Sequence, residues 1–262
     1  MKENNWFDPF YIQSHLSEEE SNIQKNVRDF CNNELKPTVV ERNRKNEFDK
    51  ELYPKFGSLG VLGQTVKTHG GSGTSNLAYG LVAYEFEKID SSYRSSISVQ
   101  SSLVIHPINE FGSQEQKDKY LPQLIKGEKI GCFGLTESEA GSDPASMKTS
   151  FKKTKDGYII NGSKNWITNA PIADIFIIWA IEENKDHKSI KGFIIEKNTE
   201  GLNTSTIENK TSLKISPTGQ IILNNVFVPS NLCLENTEGW KSVFSCLNKA
   251  RFGISWGVLG SA

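Results

Sequence analysis

The apolar period changes once along this chain, near residue 130, and that change limits the folds open to it. Before it, apolar residues recur at helical spacing; after it, short β-branched runs alternate with turn residues. Ser17-Glu18-Glu19-Glu20 opens the first clear helix, with a Ser cap, a Glu at the capping-box position and carboxylates in the first turn. Behind it Ile23, Val27, Phe30, Cys31 and Leu35 form an apolar face, and Pro37 is expected to kink or end the helix. Further helices are expected over 50–59, closed by Gly60, and over 75–89, 95–111 and 114–125, with Gly112 as the stop between the last two; Gly70-Gly71-Ser72-Gly73-Thr74 reads as a loop. Past 130, Asn161-Gly162 after Tyr158-Ile159-Ile160 is a hairpin-turn signal, and 175–181, 192–196 and 220–228 read as strands of an antiparallel sheet. Residues 239–262 return to helical spacing and run to the last residue with no cap or stop, so this helix is expected to continue or to pack on something further. The expectation is an α+β protein: an N-terminal helical bundle (1–130), a middle antiparallel β domain (131–236), and the first helix (237–262) of a C-terminal helical domain that is truncated here.

Bulk properties narrow the function. Lys and Arg total 30 against 31 Asp and Glu in 262 residues, which argues against nucleic-acid binding driven by net charge. No apolar run approaches the roughly 20 residues that span a bilayer. The first residues, Met1-Lys2-Glu3-Asn4-Asn5-Trp6, lack the apolar core of a secretion signal and the Arg-rich, acid-poor composition of a transit peptide. Cys31, Cys132, Cys233 and Cys246 form no CxxC, so packed, reduced thiols are expected. Together these suggest a bacterial cytoplasmic setting, or a mitochondrial matrix if the source is eukaryotic.

The common fingerprints are missing. Gly71-Ser72-Gly73-Thr74-Ser75-Asn76 fails GxGxxG at its last position, and no Walker lysine, HExxH or GxSxG occurs; the scattered His15, His69, His106 and His187 suggest no metal site. Two segments could meet a polar ligand. One is the hydroxyl-rich Phe133-Gly134-Leu135-Thr136-Glu137-Ser138-Glu139-Ala140-Gly141-Ser142-Asp143, able to present N–H and O–H groups. The other is Asn165-Trp166-Ile167-Thr168-Asn169, an aromatic wall beside a hydroxyl. Taken alone, a domain connector and a core tryptophan are the better explanations, and the residues themselves reach only a ligand crevice between bundle and sheet.

In that order and spacing the two segments resemble signatures of the acyl-CoA dehydrogenase family, over essentially the whole chain. Asp90-Ser91-Ser92-Tyr93-Arg94-Ser95 through His106-Pro107, and Phe244 through Gly257, are similar to the glutaryl-CoA dehydrogenase branch. The resemblance implies noncovalent FAD at Phe133, Gly134, Leu135, Thr136, Glu137, Gly141, Ser142, Trp166, Ile167 and Thr168. It also implies an acyl-CoA, glutaryl-CoA in this branch, at Arg94, Ser95, Ser142, Phe244, Leu247, Asn248 and Arg251. Arg94 would hold the substrate's free carboxylate, a charge that is costly to bury unpaired; the alternative is a surface arginine paired with Asp90 or Tyr93. The implied reaction is α,β-dehydrogenation followed by decarboxylation to crotonyl-CoA, with electrons passing to an electron-transfer flavoprotein and a homotetramer at full length. The resemblance places the catalytic base beyond this chain, so no residue here is assigned that role. Lys214 stands where the family usually carries Arg. Another short- or branched-chain dehydrogenase, an oxidase, and a non-catalytic acyl-CoA-binding protein are the competing readings.

Overall fold

A computed structural model describes Asp8 and residues 11–186 and 189–262. The expectations resting on the first six residues and on His187 lie outside these.

The helical body forms where the sequence signals it. Ser17 caps α1 (Glu18–Phe30) through a reciprocal box: its Oγ accepts the Glu20 N–H at 3.2 Å and Glu20 Oε2 accepts the Ser17 N–H at 3.0 Å. The helix widens into a π turn over Cys31–Leu35 and stops before Pro37; Val27, Cys31 and Leu35 are buried in the core as the spacing predicts. Then follow α2 (Val39–Lys45), α3 (Leu52–Ser58), and α4 (Asn76–Glu87), capped by Ser75. The helix expected from 95 begins earlier because Asp90 caps Ser92 N–H at 2.7 Å, giving α5 (Ser91–Ser98). It continues through a π segment (Val99–Ile105) into α6 (His106–Phe111), which ends at the extended Gly112. A Ser113–Gln116 box opens α7 (Gln114–Ile125).

Seven strands follow among the described residues: β1 (Gly131–Gly134), β2 (Ser150–Lys153), β3 (Gly157–Thr168), β4 (Ile175–Glu182), β5 (Lys191–Glu196), β6 (Leu202–Thr206) and β7 (Thr218–Pro229). They pair in the order β1-β4-β2-β3-β7-β6, with β5 on β4. The sheet is mixed rather than wholly antiparallel, since β4 runs parallel to both β1 and β2. Asn161-Gly162 is not a hairpin turn. It is a bulge inside β3, where the Asn161 side chain accepts the Asn225 N–H across to β7 at 2.8 Å. Gly162 sits at φ 146°, and a Cβ there would lie 2.5 Å from Thr149 Oγ1. The glycine therefore serves a close approach. The β2–β3 reversal falls at 154–157, closed by Thr154 N–H to Gly157 C=O at 2.8 Å.

Buried amides join the two layers. Gln100 Oε1 accepts the Gly131 N–H at 2.8 Å while its Nε2 donates to Leu124 and Lys129 carbonyls, and Asn169 Nδ2 donates to Tyr53 OH at 2.7 Å. Unsatisfied, such groups would each cost about 1–3 kcal/mol, so they fix how the sheet sits on the helices. The long α8 (Trp240–Ser261) lies against α4, with Gly80 directly under the Trp256 ring, where a Cβ would be 2.6 Å away. Its other face leaves Phe244, Ile254, Val258 and Leu259 exposed. All four cysteines are free and buried, and burial pushes the Cys246 thiol up to about 12. Among the described residues no helix is long and apolar enough to cross a membrane.

The α6–α8 joint carries a pH dependence. His106 Nε2 lies 3.0 Å from Ser245 Oγ, and burial, reinforced by Lys249 and opposed by Glu110, lowers its pKa from 6.5 to about 4. Between those values the unfolded chain binds a proton that the folded chain refuses. Stability should therefore fall as pH drops from 6.5 to 4, by at most about 3 kcal/mol from this group. Urea unfolding of the wild type and of His106→Gln across that window is the check. An equal acid-side loss in both would remove His106 from the account.

Candidate functional site

β1 delivers the 135–143 loop to the end of β3, and a buried ion pair holds it there. Lys164 Nζ donates to Glu137 Oε1 at 2.9 Å and to Leu135 C=O at 3.0 Å, and its side chain is 0% exposed. Glu137 also accepts the Lys148 and Thr149 N–H groups at 2.7 and 2.9 Å. Burial raises its pKa, but Lys164 and these N–H donors outweigh that and leave it below the usual carboxylate value. The Glu137 carboxylate is thus spent on internal contacts and shapes the loop. The side chains of Phe133, Leu135 and Ile167 are likewise packed in the cores, and a Cβ on Gly134 would strike Ile178. What those four positions can offer a ligand is backbone.

The remaining candidates are Gly141, Ser142 and Trp166, which are exposed, and Thr136 and Thr168, which are half-buried. Thr136 C=O accepts the Asn165 N–H at 2.8 Å, which brings the loop against the β3 end. There a second bulge, between Lys164 and Ile167, puts Trp166 at φ 60° and turns its ring outward, 58% exposed. Such a backbone conformation is uncommon for a bulky residue and costs roughly 1–3 kcal/mol, a strain that concentrates at functional sites. Trp166 and Thr168 open onto a cleft of about 520 Å³ completed by Thr218 and residues 208–213. Thr136 and Ser142 are not part of its lining. An exposed indole face beside the Thr168 hydroxyl, which takes no hydrogen bond among the described residues, suits a planar heteroaromatic group, and FAD passes that test.

The residues implied for the acyl-CoA divide in two. Arg94 is no surface arginine: its side chain is 11% exposed and its Nε donates in a short ion pair to Glu87, itself 4% exposed, which also accepts from Ser91 Oγ. Asp90 instead caps α5, and Tyr93 is packed in the core. A Cβ on Gly257 of α8 would come within 3.2 Å of Arg94 Nε, so Arg94 lies under that helix, with Ser95 beside it on α5. Phe244, Asn248 and Arg251 occupy the outer face of α8, Leu247 is partly buried at its edge, and Arg251 Nη1 donates to Asn248 Oδ1 at 2.9 Å. The structure therefore does not gather all of these into one cluster.

Two contributors escaped the sequence reading. Glu87 is seven residues before Arg94, across the α4–α5 corner, where helical periodicity no longer relates positions. The 208–213 wall is polar and aperiodic and gave no signal.

The chain belongs to the acyl-CoA dehydrogenase family. Residues 17–128 match the model for "Acyl-CoA dehydrogenase, N-terminal domain" and residues 132–226 that for "Acyl-CoA dehydrogenase, middle domain". FAD is the cofactor that this membership carries. The short-chain-specific acyl-CoA dehydrogenase of Clostridium acetobutylicum is 36% identical over 251 residues, covering 95% of this chain and 66% of the relative. The mitochondrial isovaleryl-CoA dehydrogenase of Pongo abelii is also 36% identical, covering 94% and 60%. Among solved structures, a glutaryl-CoA dehydrogenase from Mycobacterium smegmatis in complex with FADH2 superposes with a TM-score of 0.93 at 41% identity, over 96% of this chain and 64% of that one. The chain thus spans about two thirds of the length of the relatives it matches.

Proposed function

We propose that this chain is the flavin-side portion of an FAD-dependent acyl-CoA dehydrogenase whose substrate is glutaryl-CoA. The observation that carries the substrate is Arg94. Glu87 engages only its Nε, and among the described residues the four Nη protons take no partner; the side chain is mostly buried, but its Nη groups are not among the enclosed unpartnered atoms and so reach open space. That leaves the planar fork free to meet an acceptor from outside, and a substrate carboxylate would supply one in a bidentate, charge-assisted pair.

In this reading Trp166 covers a face of the isoalloxazine and Thr168 donates to its edge. Thr136, Gly141 and Ser142 offer polar groups from the 135–143 loop, with Ser142 also toward the pantetheine. Phe244, Leu247, Asn248 and Arg251 line the path of the CoA moiety. Bound FAD supplies the hydride acceptor for α,β-dehydrogenation. The residues of this chain bind, orient and exclude water, and none of them is assigned as the base that takes the α-proton. Decarboxylation to crotonyl-CoA, transfer of electrons to an electron-transfer flavoprotein, and a homotetramer complete the proposal.

A short-chain monocarboxylic substrate is the second reading, favoured by the short-chain relative's equal coverage and comparable identity. Titration calorimetry of the FAD-loaded chain with glutaryl-CoA and butyryl-CoA separates the two. The expected result is tighter glutaryl-CoA binding by at least about tenfold, about 1.4 kcal/mol. Equal affinities would return the substrate to the short-chain class, and no uptake of FAD would defeat the flavin assignment.

A further inference from the structure

The cleft beside Trp166 has an outer wall that needs holding. The chain leaves the sheet after β6 and returns at β7, and the Ile207 N–H donates to Thr218 C=O at 2.8 Å to close the base of this excursion. Residues 208–213 form the wall. Its backbone is left-handed at Asn209 (φ 56°) and Leu213 (φ 50°); asparagine tolerates that region, leucine does not.

Lys210 reaches back into this excursion. Its Nζ donates to Leu213 C=O at 2.7 Å, to Thr218 Oγ1 at 3.0 Å and, in a short contact, to Ser216 C=O. Thr218 stands opposite Thr168 in the β3–β7 register, so the clamp ends on the residue that faces the cleft hydroxyl. An ammonium has three protons, and all three are used here. That rules against Lys210 as the direct partner of a ligand anion and leaves it a structural task, tying the left-handed Leu213 to the strand. Lys214 differs: it sits in the same excursion and takes no hydrogen bond or ion pair among the described residues.

We propose that Lys210 is a positioning residue that fixes the 208–213 wall in the shape that receives the flavin beside Trp166 and Thr168. The ligand named here rests on the flavin reading above; the clamp itself does not.

Lys210→Met and Lys214→Met each remove one positive charge from the same loop, but only the first removes the three bonds. Two measurements on each variant decide the matter: hydrogen exchange read by mass spectrometry, and FAD titration followed by flavin fluorescence. Lys210→Met should speed exchange across 208–217 and raise the FAD Kd, each by about tenfold or more, the scale set by losing one charge-assisted hydrogen bond. Peptides from β3 and the body of β7 should keep wild-type exchange, and Lys214→Met should stay within about twofold of wild type in both measurements. Unchanged loop exchange in Lys210→Met would overturn the clamp. Faster exchange in every peptide would make Lys210 a determinant of the whole fold and overturn the local role. Equal weakening of FAD by Lys214→Met would mean that charge matters and loop shape does not. If the wild-type chain takes no FAD, the flavin reading fails separately while the exchange comparison still decides whether Lys210 holds the wall.

Discussion

Lys164→Met should lower the unfolding free energy by about 3–5 kcal/mol, the range for breaking a buried ion pair by removing one partner. The lysine is fully enclosed, and its ammonium joins Glu137, the Leu135 carbonyl and, at 3.9 Å, Met147 Sδ. Methionine fills similar space, so the loss is chiefly that of a charge from beside a carboxylate that stays buried. Lys164→Met/Glu137→Gln should recover part of it, because glutamine keeps a carbonyl for the loop N–H groups without the unpaired charge. The pH dependence has a definite sign. Burial, opposed by Glu137, lowers the Lys164 pKa from 10.5 to about 8. Between these values the unfolded chain holds a proton that the fold has released, so this group adds stability as pH rises from about 8 to 10.5. Lys164→Met should lack that rise. Urea unfolding at pH 7 and at pH 9.5 tests both points, and a single-variant loss below about 1 kcal/mol at pH 7 would show that the pair does not hold the loop.

The ion pair also marks where sequence reading stops. Helix ends are set by neighbours three or four residues away, so Ser17 announces α1, and the bounds of α7 coincide with those the sequence predicts. Strand runs are equally local, which is why β4, β5 and β7 stand where β-branched residues cluster. Pairing is not local. Asn161-Gly162 has the composition of a two-residue turn, but what selects the glycine is Thr149 on another segment. The parallel contacts of β4 leave no trace in alternation, because a strand covered on both sides is apolar throughout. The site follows the same division. The sequence offers Trp166 and Thr168 as an aromatic beside a hydroxyl, and the fold puts both on one cleft. The inward turn of the Glu137 carboxylate is not legible, because its partner Lys164 lies 27 residues away on β3. Glu87 and Lys210 act through distances or loop shapes that no periodic pattern encodes.

Arg94→Gln should abolish the preference for a dicarboxylic thioester and weaken the helical layer at once. If Arg94 holds the far carboxylate, removing the guanidinium costs the charged substrate about 2–5 kcal/mol, the range for truncating one side of a buried charge pair, or roughly 30-fold or more in affinity. Butyryl-CoA, with no charge at that end, should bind about as before. Stability should fall as well, since Glu87 is more enclosed than its partner and would keep only Ser91 Oγ. Glutamine can still donate one hydrogen bond, so this loss should fall near the low end of about 3–5 kcal/mol, and Glu87→Gln/Arg94→Gln should recover part of it. Arg94→Lys separates charge from geometry: a lysine keeps the charge but lacks the planar fork that can meet Glu87 through Nε and a second carboxylate through Nη. Its glutaryl preference should fall between those of wild type and Arg94→Gln. Calorimetry with the two thioesters gives the affinities and urea unfolding gives the stabilities. A full glutaryl preference surviving in Arg94→Gln, with the stability loss present, would confine Arg94 to pairing with Glu87 and require another residue to read the carboxylate.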